Sequence, residues 1–206
     1  MKKSGYTFFM FTQGSCAAGC GRPVITGSSL CAIHSTNAAA EAHRLAEYIE
    51  KQKVVRDISA AGLRFESVDF SRRQYDGCNF SGATFSMCLF TEAVMRMTFF
   101  DFATLTYCDF SSGDLQFLSL SGATIRDCTF ENAELVNINF GGTLITDSTF
   151  SKTNLYNSRF IGANIARCEF TDCNLKHTNF AKTRREELSF KYSNTAEAVF
   201  ETEGTG

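Results

Sequence analysis

From Phe65 to Phe180 every fifth residue is hydrophobic, 24 positions in succession, and 13 of them are Phe. The position two residues earlier is mostly Ala, Cys, Ser, Thr or Gly, as at Cys78, Ala83, Cys88, Ala93, Thr98, Ala103 and Cys108. Arg73, Leu118 and Ile138 depart from that rule. The other three positions of each five are largely Ser, Thr, Asn, Asp, Glu, Lys, Arg and Gly. One large and one small inward residue per five keep phase with neither a 3.6-residue helix nor a simple period-two strand. A chain that turns a corner every five residues does keep phase. Four corners close a coil of 20 residues, which stacks on the next through parallel backbone hydrogen bonds. The pattern predicts about six coils over residues 61–180, a rod about 29 Å long at ~4.8 Å per stacked strand.

Sorting the large residues at intervals of 20 tests this reading. One side collects Phe70, Phe90, Phe110, Phe130, Phe150 and Phe170; the opposite side has Phe80, Phe100, Leu120, Phe140, Phe160 and Phe180. A third carries Tyr75, Met95, Leu115, Leu135, Leu155 and Leu175, and the fourth Phe65, Phe85, Leu105, Ile125, Ile145 and Ile165. Like stacks on like, as a four-sided coil requires. Cys88, Cys108, Cys128 and Cys168 form a column in the same register, with Ser148 in the gap. Cysteine is a small, readily buried filler at such positions, so these are read as structural thiols rather than a metal or redox site.

Segments such as CNFSGATFSMCLF (Cys78–Phe90) and SGATIRDCTFENAELVNINF (Ser121–Phe140) resemble the pentapeptide-repeat family, A(D/N)LXX in idealised form. The resemblance implies an all-β solenoid, a right-handed quadrilateral parallel β-helix.

The first sixty residues lie outside the repeat. Cys16, Cys20, Cys31 and His34 are spaced C-x3-C-x10-C-x2-H, and three thiolates with an imidazole suit a tetrahedral structural Zn²⁺ site. Gly19 and Gly21 permit a tight knuckle, and Arg22–Leu30, with Gly27 at its centre, reads as a short hairpin. A helix is expected from Ala38 to about Asp57, capped by Ser35, Thr36 or Asn37, with Ala42, Leu45, Ile49 and Val55 on one face. Knuckle, hairpin and helix together resemble a treble-clef zinc finger over about 25 residues. His43 and His177 read as surface residues.

An open β-helix exposes backbone and core at both ends. Residues 1–60 are therefore expected to form a zinc-knuckle and helical cap, with the helix lying across the first coil and Tyr6–Phe11 supplying a strand or an apolar plug. Residues 61–180 form the β-helix. Residues 181–206 form a C-terminal cap and tail, because Arg185 breaks the inward pattern; Leu188, Phe190 and Phe200 are expected to make an irregular cap before the ETEGTG end.

Charge narrows the function. The chain has a net charge of -2 and a pI near 5.9, which argues against a basic nucleic-acid binder. Residues 1–60 are net +3, seven basic against four acidic, too little to support DNA binding by the finger alone. Residues 61–180 are net -4, and Arg72, Arg73, Arg96, Arg126, Arg159 and Arg167 interrupt any acidic stripe. That weakens a second reading, a mimic of duplex DNA acting on DNA gyrase, which the family resemblance raises. No nucleophile–base arrangement emerges, and an enzyme is not expected.

The favoured reading is a non-enzymatic scaffold whose flat faces take a protein partner. Large apolar residues at outward positions mark its surface: Met87 with Tyr107, Met97 with Phe117, and Phe99 and Phe102 nearby. A homodimer through these columns or the C-terminal end stays open. No segment approaches the ~20 apolar residues of a membrane span, and the apolar run after Lys3 is short for a signal peptide. A cytoplasmic protein with reduced thiols is expected.

Overall fold

The computed structural model describes residues 14–200; the expected strand or plug at Tyr6–Phe11 and the ETEGTG end lie outside the described residues. The chain enters through a cysteine-bearing knuckle, forms the helix α1 (Ala38–Glu50), and then winds as a four-sided parallel β-solenoid of about seven turns. The first side is a seven-stranded sheet. It runs through β2 (Arg64–Glu66), β4 (Thr84–Ser86), β6 (Thr104–Thr106), β8 (Thr124–Arg126), β9 (Leu144–Thr146), β10 (Asn164–Glu169) and β11 (Arg184–Ser189). The third side starts with β1 (Val54–Arg56), β3 (Gln74–Asp76), β5 (Val94–Arg96) and β7 (Asp114–Gln116), and continues as bridges from Asp114 through Glu134 and Asn154 to Asn174. The second and fourth sides are held by single parallel bridges, such as Asp69 to Leu89 and Asn79 to Phe99. Each register is a step of 20: Phe65 faces Phe85, Phe85 faces Leu105, and Leu105 faces Ile125.

The large residue of each five points inward and is buried. On the second side the rings of Phe90, Phe110, Phe130 and Phe150 stack with centroids 4.5, 4.9 and 4.8 Å apart and planes within 8°. On the fourth side Phe140, Phe160 and Phe180 stack at 4.5 and 4.8 Å. The two stacks meet edge to face, as at Phe150 and Phe160, 6.1 Å apart and 83° inclined, so both favourable ring geometries recur along the rod, with a break in the fourth-side stack at Leu120.

Where the small inward residue is Cys, Ser or Thr, its side chain can also donate a hydrogen bond. The Thr178 hydroxyl donates to the Leu155 carbonyl at 2.8 Å, and the Cys78, Cys88 and Cys108 thiols point in the same way at the carbonyls of Val55, Phe65 and Phe85, each at 3.6 Å. Burial pushes the Cys78 thiol up to about 12 and the Cys168 thiol up to about 11, so neither ionises at neutral pH. The cysteine column is a set of packed thiols.

The corners follow an equally regular rule. Every fifth residue from Asp57 to Tyr192 has a positive φ, between 48° and 73°, and 22 of these residues are not glycine. None is Val, Ile or Thr, whose branched Cβ is the least tolerant of left-handed backbone. Asn and Asp before the large residue close the turn. Asp69, Asn79, Asp109, Asn139 and Asn179 each accept the backbone N–H two residues on, at 2.8–3.0 Å.

The solenoid outruns the six expected coils at both ends. The α-helix stops at Glu50 rather than near Asp57, and the β-branched Val54–Val55 opens the solenoid as β1. Val55 is buried as expected, but as the inward residue one turn before Tyr75 and not on the helix face. Ala42, Leu45 and Ile49 do make that face, and Asn37 is the cap, accepting the Ala40 N–H at 3.0 Å. At the other end, Phe190 and Phe200 do not form an irregular cap. They extend the two Phe columns, at 5.3 Å from Phe170 and 4.9 Å from Phe180. Arg185 falls in register with the inward Ile165 but is exposed at the end of the rod, its guanidinium 5.1 Å from the Phe200 ring centroid.

Candidate metal centre and corner residues

The knuckle is built by short-range backbone bonds. The Cys16 N–H donates to the Arg22 carbonyl at 3.0 Å and the Gly19 N–H to the Cys16 carbonyl at 2.8 Å, while Ser15 and Pro23 form an antiparallel bridge. Gly19 and Gly21, with φ of 73° and 72°, supply the left-handed turn that brings Cys20 back beside Cys16. The expected hairpin at Arg22–Leu30 is a turn closed by Ile25 N–H to Leu30 carbonyl at 3.0 Å, with its bridge at Ser15 and Pro23 instead. A second turn from Cys31 carries His34 back, its N–H donating to the Cys31 carbonyl at 3.1 Å.

These turns bring the four sequence-derived ligands together, with ligand atoms within 4.8 Å of one another. Cys20 Sγ lies 3.8 Å from Cys31 Sγ, and His34 Nδ1 lies 3.4 Å from Cys16 Sγ and 3.6 Å from Cys31 Sγ. A tetrahedral zinc with ordinary bond lengths requires edges of about 3.8 Å between sulfurs and about 3.6 Å between sulfur and nitrogen. The donor set therefore fits zinc in both chemistry and size. All nine cysteines are free thiols. The Arg22 backbone N–H, foremost among several hydrogen bonds, draws the partly exposed Cys20 thiol down to about 6, which favours the thiolate a soft metal needs.

How the knuckle docks was not written in its spacing. Thr26 at the tip of its turn replaces the missing preceding rung on the fourth side: its N–H donates to the Ser59 carbonyl at 2.9 Å, and its hydroxyl accepts the Ser59 N–H at 2.7 Å. Arg44 of α1 ties down the Thr26 carbonyl and the Glu41 carboxylate. Ile25 is fully buried in the common core.

The six candidate partner-binding residues divide. Met87, Met97, Phe102, Tyr107 and Phe117 are all corner residues with positive φ, between 48% and 74% exposed, whereas Phe99 is half-buried within the fourth side. Met97, Phe117, Phe102 and Phe99 surround the fourth side. Met87 and Tyr107 lie on the corner between the first and second sides, diagonally across the rod from Met97 and Phe117. They do not form one flat patch. The Phe102 ring lies over Gly122, where an added Cβ would sit 2.6 Å from it. Leu89, half-exposed beside Met87, joins that cluster and was not singled out in sequence because it is an isolated apolar residue in a column of polar ones.

The family profile described as the pentapeptide repeat region matches residues 123–200. No curated protein matches the chain. Among solved structures, a trypsin-treated variant of QnrB1, a plasmid-mediated fluoroquinolone resistance protein, is 20% identical, with 71% of this chain and 67% of that chain covered at a TM-score of 0.46. HetL, a pentapeptide repeat protein involved in heterocyst differentiation regulation in the cyanobacterium Nostoc sp. strain PCC 7120, is 15% identical, with 75% and 94% covered at a TM-score of 0.46. A pentapeptide repeat protein from the Arabidopsis thaliana thylakoid lumen is 16% identical, with 64% and 68% covered at a TM-score of 0.30. The profile match places a pentapeptide repeat region at residues 123–200, and the same five-residue repeat and four-sided parallel ladder continue unbroken on its N-terminal side.

Proposed function

We propose that the protein is a non-enzymatic, cytoplasmic interaction scaffold, a zinc-capped rod whose apolar corners grip a protein partner. One observation carries the reading. Of the seven successive corners from Met87 to Phe117, five hold a large apolar side chain in left-handed backbone, exposed to solvent. Folding favours Gly, Asn or Asp at such a corner, and the rest of the rod largely obeys. Large apolar residues there bury little in the chain itself, so a selected role in contact with another molecule accounts for them. The zinc would hold the knuckle that seats Thr26 on the first turn, a structural role consistent with four protein ligands.

Charges on adjacent turns meet in opposite pairs, as Arg56 with Asp76, Arg72 with Glu92 and Arg167 with Asp147. That neutralisation argues against a mimic of duplex DNA acting on gyrase, and the same balance offers nucleic acid no basic face.

The test replaces Met97→Asn, Phe102→Gly and Phe117→Asn together, each change restoring a corner-favoured residue. Cross-linking of the full chain in its host cells is compared between wild type and variant. Stability unchanged or raised with loss of a specific cross-linked protein supports the scaffold; an identical cross-linking pattern rejects these corners as the contact surface.

A further inference from the structure

We infer that the groove between α1 and β2 is a docking site for an extended peptide of another protein, which adds to the first side as a further parallel strand. The site lies at the end of the rod, and the inference does not depend on the corner reading. On the fourth side Thr26 stands in for the rung that would precede the first turn. Among the described residues the first side has no such stand-in, and β2 ends its sheet. The Ser67 N–H bonds to Ser86 and the Thr84 N–H to Leu63. Because ladder bonds alternate along a strand, the N–H and C=O groups of Arg64 and Glu66 face away from β4. They open into a groove of about 410 Å³ that is also lined by Phe65 and by Ala38, Ala42 and Ala46 of α1. Alanine on this helix face leaves room that larger side chains would fill.

Charge sets the kind of peptide. Some rungs supply opposite charges to one another, as Arg56 does to Asp76. Arg64 and Glu66 face Thr84 and Ser86 instead, and no ion pair engages them among the described residues. A parallel strand in register would set an acidic residue against Arg64, a small aliphatic one toward the alanine wall, and a basic one against Glu66. In that register the central residue donates its N–H to the Arg64 carbonyl and accepts the Glu66 N–H. This is strand addition to an exposed edge, with main-chain bonds giving affinity and side chains giving choice.

The probe is a capped, fluorescent heptapeptide with Glu-Val-Lys at its centre, titrated against the full chain by anisotropy. Its Lys-Val-Glu counterpart and a version N-methylated at the central Val serve as controls. Wild type is expected to prefer Glu-Val-Lys by about fivefold, from two cross-strand charge pairs, and to lose binding on N-methylation. The exposed double change Arg64→Glu with Glu66→Arg should invert the preference, which misfolding cannot do. Ala46→Phe should fill the groove and abolish binding, while the Met97, Phe102 and Phe117 variant should bind as wild type. Absence of binding to either peptide, or a preference that does not invert, overturns the proposal. So does binding that appears only after removal of residues 1–13, because the groove would then belong to this chain.

Discussion

The solenoid and the knuckle are stabilised in opposite ways. A buried residue of the solenoid such as Phe130 has the same neighbours above and below, Phe110 and Phe150, and the loss of one contact leaves the rest of the column in place. The knuckle has no repeat to lean on. Among its described residues Ile25 is the one hydrophobic anchor with no exposure, and its turns are held by a few backbone bonds and four ligand side chains. Order in the first comes from many equivalent contacts, and in the second from one concentrated point. The two regions should therefore fail differently.

Metal removal should have the largest effect, confined to the knuckle. Structural zinc in small fingers supplies about 10–16 kcal/mol of binding free energy that is also folding free energy. Wild type is expected to carry one zinc per chain, and Cys16→Ser or His34→Ala to lose it. Hydrogen exchange should then show the amides of Cys16, Gly19 and Ile25 unprotected while those around Phe130 stay as before. A metal-free wild type with protected knuckle amides would show that packing alone holds this region.

Within the solenoid, Phe130→Ala should cost about 3–5 kcal/mol in denaturant unfolding, since it cuts a stack in mid-column. Phe200→Ala, at the end of its column and only half-buried, should cost clearly less. Equal costs would mean that the columns do not act as continuous stacks. The corner rule predicts a smaller effect. Ser112, with φ of 57°, should tolerate Gly, whereas Ser112→Val should cost about 1–2 kcal/mol despite being on the surface.

The smallest effect is a dependence on pH. The Ser71 backbone N–H holds the Asp69 carboxyl below its ordinary value, helped by the Ser71 side chain. A carboxyl depressed in the folded chain contributes stability that is present above its unfolded value near 3.9 and lost as pH falls through the folded one. Asp69→Asn keeps an acceptor, as Asn79 and Asn139 do in their own turns, but does not titrate. The gap in Tm between wild type and Asp69→Asn should change between about pH 5 and about pH 2 and stay flat above that range.

Much of this architecture was legible because the inward positions repeat without a break. The first turn was hidden where the order inverts: Ile58 takes the small slot and Ala60 the large one, both buried, so a search for large residues begins only at Phe65. Val55 keeps the phase but was absorbed into the helix, whose charged stretch from Glu50 to Lys53 looks helical in isolation. At the far end Arg185 masked the in-phase Phe190 and Phe200. The corners carried a legible signal that hydrophobicity does not show, the absence of β-branched residues from every fifth position. The ligand spacing in the knuckle gave the cluster, because short loops fix which side chains can meet. The docking through Thr26 and Ser59 joins residues 33 apart by backbone geometry, and no local pattern encodes it.

The register of 20 also makes the rod a graduated object. Duplicating or deleting one whole turn would shift everything beyond it by ~4.8 Å along the axis, while each column keeps its side and its neighbours. A change by another multiple of five would keep inward residues inward but move them to a different side, and any remaining length change would turn inward residues to the surface. Distance between the two ends can thus be set in fixed increments, independently of what the surface between them displays.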